Sequence, residues 1–381
     1  MNNPVPYAMI GGGVGSFIGA VHRHAIALDG RSRLVAGAFS STAERSKASG
    51  DALGVPIDRS YATYHDLIAG ETGRADAPAF VVIVTPNDTH FSIAKACLEG
   101  GFGVVCDKPF TITSAEAAEL RKLAADRGLL CVVTYNYSGY PMVREARARI
   151  KAGEIGAVRK VFAEYHQGWL ATDLESSGQK QASWRTDPSR AGIGGSLGDI
   201  GTHAEQLVQF VTGLAIESVC ADLTSFVPGR VLDDDASVLL RLSDGAKGTL
   251  TCSQVCVGEA NGLSLRVYGE RGGLVWRQER PEELTMTKTD GSKTVLLRGG
   301  ENLSPETAAS GRLPGGHPEG FIEAFANLYR GVADVIAGDA GSELAAMLPD
   351  ASDGESGVRF VEACVKSAKH DSAWTDVPRT F

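Results

Sequence analysis

The chain has 381 residues, and 37 Lys+Arg against 46 Asp+Glu leave a formal charge of −9. At roughly 150 residues per domain the length predicts two or three domains, and 43% hydrophobic with 22% charged residues excludes a disordered or fibrous chain. The acidic balance excludes nucleic acid and an anionic membrane surface as partners, and no apolar run approaches the ~18 residues that span a bilayer.

The first third alternates strand and helix. An apolar run at Val5–Ile10 ends in a glycine cluster and leads to a helix through Val21–Leu28. The run Leu34–Phe39, a helix-like Thr42–Leu53, a helix at Tyr64–Ala69 and the β-branched run Phe80–Thr85 follow. A helix at Phe91–Glu99, a strand at Gly103–Cys106, a helix at Ser114–Arg127 and a strand at Leu129–Thr134 complete the series. Such interleaving predicts βαβ units, and so an α/β, doubly wound parallel sheet over residues 1–135.

Beyond that the pattern changes. A helix at Pro141–Ala152 precedes a polar, glycine-bearing stretch to Gly195 and a helix at Leu197–Val211. From Ile216 to about Leu297 short runs alternate between turns, which predicts a mostly antiparallel sheet. A loop at Gly299–Pro318 and helices at Glu319–Ile336 and Val358–Ala368 finish an α+β domain expected over residues 136–381.

The seven cysteines (Cys97, Cys106, Cys131, Cys220, Cys252, Cys256, Cys364) contain no CxxC pair. They are expected to be reduced, buried thiols with no metal role. The start, Met1 to Tyr7, has no basic stretch followed by an apolar run, so a cytoplasmic location is expected.

Four segments carry chemistry. The first, Gly11-Gly12-Gly13-Val14-Gly15-Ser16-Phe17-Ile18-Gly19, follows a strand and opens a helix, the setting of a dinucleotide fingerprint. Ser16 stands where a third glycine is usual, and Gly19 follows one residue later than the spacing from Gly13 requires. Gly11, Gly13, Val14, Gly15, Ser16 and Phe17 are therefore candidate cofactor contacts, the helix N-terminus holding a pyrophosphate. After the second strand no acid is present to read a ribose 2′-hydroxyl; Ser40, Ser41 and Arg45 are the residues available, so NAD is expected with NADP left open. Thr85, Pro86, Asn87 and His90 follow the third strand, and Asp107, Lys108 and Pro109 the fourth. Both loops stand at strand carboxyl ends, where such sheets bind ligands, and Asn136 joins the cofactor candidates.

The last segment is Gly198-Asp199-Ile200-Gly201-Thr202-His203. Four residues apart, Asp199 and His203 share a helix face. Histidine moves protons near neutral pH, and a carboxylate beside it orients or charges it. Ser196-x-x-Asp199 also reads as a capping box, which would make Asp199 structural.

Together the glycine turn with His22 after it, Thr85-Pro86-Asn87, Asp107-Lys108-Pro109, residues 198–203 and the closing Asp353-Gly354…Trp374 resemble the Gfo/Idh/MocA oxidoreductase family. The resemblance implies hydride transfer between a nicotinamide cofactor and a sugar or polyol carbon. It also implies that Lys108 bonds the reacting hydroxyl, Asp199 positions the substrate and His203 acts as general base. By the same resemblance a homodimer or homotetramer is expected, through the exposed face of the second sheet. Tyr137, Tyr140, His166, Trp169 and Trp184 are candidate substrate contacts, and Lys180 and Arg185 would suit an anionic substituent unless Arg185 pairs with Asp187 or Asp199. Two alternatives stay open: an NAD+-dependent glycoside hydrolase working by transient oxidation at carbon 3, with Tyr137, Tyr140 and His166 as candidate extra acid and base groups, and a non-enzymatic nucleotide sensor.

Overall fold

A computed structural model gives the structure of residues 3–379. Met1, Asn2, Thr380 and Phe381, which the expected domain ranges and start segment include, lie outside the described residues. The described residues fold into two compact units, the first made of residues 3–111, 115–139 and 321–355, the second of 112–114, 140–320 and 356–379.

In the first unit five parallel strands, β1 (Val5–Gly11), β2 (Ser32–Ala38), β3 (Phe80–Val84), β4 (Gly103–Cys106) and β5 (Cys131–Val133), pair in the order β2-β1-β3-β4-β5. The helices are α1 (Phe17–Leu28), α2 (Ala43–Ala52), α3 (Tyr64–Glu71), α4 (His90–Glu99) and α5 (Ser114–Arg127). Every residue of β3 is buried, as a parallel strand covered on both faces must be. Its side chains alternate between two cores. Val81 and Ile83 join Leu67, Ile93 and Leu120 on one face, while Phe80, Val82 and Val84 join Val21 and Ala25 of α1 on the other.

The second of these cores also takes in Phe325, Ala326, Tyr329 and Val332, from a helix close to the far end of the chain. One α-helix on that face leaves apolar strand surface open, and the returning segment 321–355 closes it. A division near residue 135 places this segment with the second domain, because nothing in its own pattern says which sheet it covers.

The second unit begins with α6 (Pro141–Lys151) and builds a nine-stranded sheet from β6 (Val158–His166), β7 (Ile216–Thr224), β8 (Asp235–Leu242), β9 (Lys247–Ser253), β10 (Gly262–Gly269), β11 (Gly272–Arg277), β12 (Glu283–Lys288), β13 (Lys293–Leu297) and β14 (Thr375–Asp376). All its pairings are antiparallel except β6 with β9. Strand β6 lies inside the stretch expected to be irregular. Its buried residues Val161, Ala163 and Tyr165 alternate with Lys160, Phe162, Glu164 and His166, and the apolar Phe162 on the more open face blurs the period of two. The helices here are α7 (Lys180–Arg185), α8 (Pro188–Ala191), α9 (Thr202–Thr212) and α10 (Pro305–Ser310), the last within the expected 299–318 loop. Helix α11 (Phe321–Ile336) follows, and α12 (Ala351–Ala368) starts seven residues before the expected Val358, its first turn capped by Asp350 Oδ1 accepting from Ser352 N at 2.7 Å.

His22 of α1 is wholly buried in the first unit. Its Nδ1 meets the Tyr329 hydroxyl, its ring lies 5.0 Å from that of Phe325, and its Nε2 stands 4.0 Å from Asp107 Oδ1. Burial lowers its pKa from 6.5 to about 4, against the opposing pull of Asp107. Below pH 6.5 the unfolded chain binds a proton that the folded chain refuses, so stability should fall as pH drops from 6.5 towards 4. The full effect is on the order of 3 kcal/mol. Denaturant midpoints between pH 7.5 and 4 should show a shallower acid slope in His22→Gln than in the parent; equal slopes contradict the assignment.

Candidate active site

The glycine turn leaves β1 at a backbone that only glycine holds comfortably: φ is +78° at Gly11, +68° at Gly12 and +84° at Gly15. A Cβ on Gly13 would stand 2.7 Å from the Phe39 carbonyl and from Ser49 Oγ, so the turn lies flat on the residue after β2 and the second half of α2. That contact, within the protein, is what requires glycine at 13. A Cβ on Gly19 would lie 2.4 Å from Gly12 Cα, so Gly19 supplies the close helix–strand approach. Ser16, in the place of the third glycine, caps α1 by accepting from Gly19 N at 3.2 Å. The residues fit a dinucleotide: a Cβ at Gly15 would meet nothing within 4 Å, so that backbone faces open space at the start of α1, beside the exposed Val14 and Phe17.

Other strand ends of this unit frame the same role. The order reverses between β1 and β3, the switch point at which doubly wound sheets take ligands. Ser40 is half-buried, and Ser41 and Arg45 are exposed. Thr85 and Pro86 are partly open and Asn87 is buried. His90 is fully buried, with its ring nitrogens each 2.9 Å from a carbonyl, those of Pro109 and Thr85. It therefore staples the loops after β3 and β4 together, a positioning task in place of the direct cofactor contact expected. Asp107 accepts from Lys108 N at 3.0 Å and from the Thr134 hydroxyl at 2.9 Å, which fixes the backbone that presents Lys108. Asn136 and Tyr137 are buried in the turn after β5, and the Tyr137 ring is edge-on to Phe321 at 6.3 Å.

In the second unit the segment expected as one helix starts with a π-helical turn, Leu197–Gly201, and continues as α9. Wide turns of this kind recur at functional sites. Here the turn carries Asp199, and α9 carries His203, which is 7% exposed with its ring 6.2 Å from Tyr165. The capping-box reading fails: Ser196 makes no side-chain cap. Asp199 Oδ2 instead accepts from Arg185 Nε at 3.1 Å and Gln254 Nε2 at 2.8 Å. Arg185 in turn lies over the Trp184 ring at 4.2 Å. Of the two pairings left open for Arg185, the structure forms the one with Asp199.

The cap comes from Asp233, which sequence reading missed. Its Oδ1 accepts from Gly195 N at 2.7 Å, and its Oδ2 accepts from the Ser196 hydroxyl and Leu197 N, each at 2.8 Å. Burial pushes the pKa of this carboxyl up, and the bonds from Leu197, Gly195 and Ser196 pull it down. Asp233 opens a run of three aspartates that leads into β8 and reads as a solvated turn; only its partners 36 to 38 residues earlier give it a task.

The remaining candidates divide. Trp169 Nε1 donates to Gln167 Oε1 at 3.0 Å, and Gln167 Nε2 and the Tyr165 hydroxyl each lie 2.7 Å from Asn261 Oδ1, a polar cluster at the end of β6. Tyr140 is buried against Trp276 at 5.4 Å. Alternation along β6 puts His166 on the sheet face opposite Tyr165, bonded to Thr251 Oγ1 at 3.0 Å and so away from His203. Lys180 is exposed at the start of α7. Among the described residues no helix is long and apolar enough to cross a membrane.

Removing the Asp233 carboxylate strands two backbone N–H groups and a hydroxyl at once. Asp233→Ala is expected to cost about 2–4 kcal/mol, read as a lower thermal midpoint, with NAD affinity retained because the glycine turn belongs to the other unit. An unchanged midpoint would remove Asp233 from this role.

Residues 5–136 match the oxidoreductase family with an NAD-binding Rossmann fold, and residues 143–275 match the GFO/IDH/MocA C-terminal domain. The uncharacterized oxidoreductase YfiI of Bacillus subtilis is 38% identical over 99% of this chain and 98% of its own length. An inositol dehydrogenase homolog from Azotobacter vinelandii, complexed with NADH and myo-inositol, superposes with a TM-score of 0.91 at 37% identity, covering 99% of this chain and 98% of the other. Levoglucosan dehydrogenase of Pseudarthrobacter phenanthrenivorans is 28% identical over 78% of this chain and 80% of its own. The chain belongs to the Gfo/Idh/MocA family and is an NAD-dependent oxidoreductase.

Proposed function

We propose that this oxidoreductase is a dehydrogenase for an uncharged sugar or cyclic polyol. The observation that carries the reading is the pairing of Asp199 with Arg185 on the turn leading to His203. Asp199 is thereby held as an oriented carboxylate, an acceptor for substrate hydroxyls. The guanidinium that would have read an anionic substituent is engaged with it. The relatives point the same way, one named for levoglucosan and one complexed with myo-inositol.

Oxidising an alcohol requires loss of the hydroxyl proton as hydride leaves the same carbon. NAD, when bound, supplies the hydride acceptor. In this proposal Lys108 donates to the reacting oxygen and favours its alkoxide character, His203 accepts the proton, and Asp199 orients the neighbouring hydroxyl. The residues that would hold the cofactor are the Gly11–Phe17 turn, Ser40 and Ser41, and Thr85 to Asn87.

The glycoside-hydrolase alternative needs a further base and acid. Of the residues that would supply them, Tyr137 and Tyr140 pack against Phe321 and Trp276, and His166 bonds Thr251 on the sheet face opposite Tyr165. No observation favours that reading.

Incubation with NAD+ and free neutral polyols, beginning with myo-inositol and levoglucosan, should yield NADH. His203→Ala should lower kcat about 10²–10⁴-fold while leaving NAD affinity in place. Near-parental turnover in that variant would overturn the assignment of the base. The homo-oligomer is proposed through the outer face of the nine-stranded sheet, where Phe162 stacks edge-on with Tyr268 at 6.1 Å and Leu239 is 48% exposed. Light scattering should then give a multiple of 40.0 kDa, and a monomer mass at micromolar concentration contradicts it.

A further inference from the structure

A cavity of about 510 Å³ opens in the first unit between α1, the start of β2 and the turn after α2. It lies near the amino-terminal halves of β1 and β2, whereas the glycine turn leaves the carboxyl end of β1. Its size falls in the range of small-molecule pockets. Leu34 and Leu53 give it an apolar floor, while Tyr7, Arg23, Ser32 and Arg33 supply polar groups, and no acidic residue lines it. In a chain of net charge −9 such a concentration of uncompensated arginine is unusual.

The hydrogen bonds of these side chains are incomplete. Tyr7 is 3% exposed and its ring stacks on Phe80 at 5.5 Å, yet its hydroxyl has no partner among the described residues. Arg23 is half-buried; its Nη1 donates to the Gly12 carbonyl, and no carboxylate among the described residues pairs with it. Burial lowers the pKa of Arg23, with only Tyr7 opposing it. Arg33 forms neither a hydrogen bond nor an ion pair among the described residues. Arg59, also on the wall, differs: it is paired with Glu71 and Asp76 and adds no free charge.

The Tyr7 hydroxyl and the Arg23 guanidinium both line the cavity and both donate, so a single oxyanion can accept from the two together. The bond from Arg23 to Gly12 already fixes that side chain, so binding loses less side-chain freedom. We propose that this cavity, which touches the cofactor turn only through the Arg23–Gly12 bond, is a second ligand site for a small organic oxyanion: a carboxylate or phosphate on a compact apolar body.

Calorimetric titration of the full chain with benzoate, phenyl phosphate and uncharged benzyl alcohol tests this. At least one anion should bind saturably with a Kd of about 1 mM or tighter, and benzyl alcohol about tenfold more weakly or worse. The comparison of the two anions tells which oxyanion the site prefers. Tyr7→Phe and Arg33→Met should each weaken the anion about tenfold. Arg33 is exposed, so its variant should fold and keep NAD affinity unchanged. Absence of saturable binding by either anion, affinities unmoved in both variants, or competitive displacement by NAD overturns the proposal.

Discussion

A carboxylate taken out of water must find donors for its oxygens, because leaving them unbonded costs more than the fold can spare. At Asp233 those donors are Gly195 N, the Ser196 hydroxyl and Leu197 N, the groups at the head of the turn that carries Asp199. The first N–H groups of a helix have no partner of their own, so the cap and the buried charge satisfy each other. Asp199 is then positioned from two further sides, by Arg185 and by Gln254 at the end of β9. The candidate base on α9 follows one turn later.

The nucleotide-binding unit rests on a different constraint. A parallel strand such as β3 buries both faces, so the sheet needs helices on each. Local βαβ units supply most of them, and the return of α11 supplies the rest, bringing Tyr329 against His22. His22 in turn stands beside Asp107, whose carboxylate holds the backbone of Lys108. A residue at the start of the chain and another more than 300 positions later thus fix the surroundings of a loop between them.

Features with local causes were legible in the sequence. The glycine turn, the buried run Phe80–Val84 and the four-residue spacing of Asp199 and His203 each follow from backbone sterics or periodicity. Features whose cause is a distant partner were not. Asp233 has no local signature, β6 has its alternation blurred by Phe162, and α11 does not announce which sheet it covers. Ser196 misled for a related reason: its spacing to Asp199 matches a capping box, but a better acceptor lies across the fold. His90 has the chemistry of a site, and its two carbonyl partners give it the work of joining two loops.

Net dehydrogenation is the central claim, and it is tested most directly by following the hydrogen itself. The substrate, a neutral polyol deuterated at the carbon to be oxidised, is incubated with NAD+ and the products are analysed by mass spectrometry. The account predicts one deuterium in each NADH formed and a ketone lacking it, in equal amounts. Deuterium found back on carbon with no NADH accumulating would mean that the redox step is transient, and would contradict it.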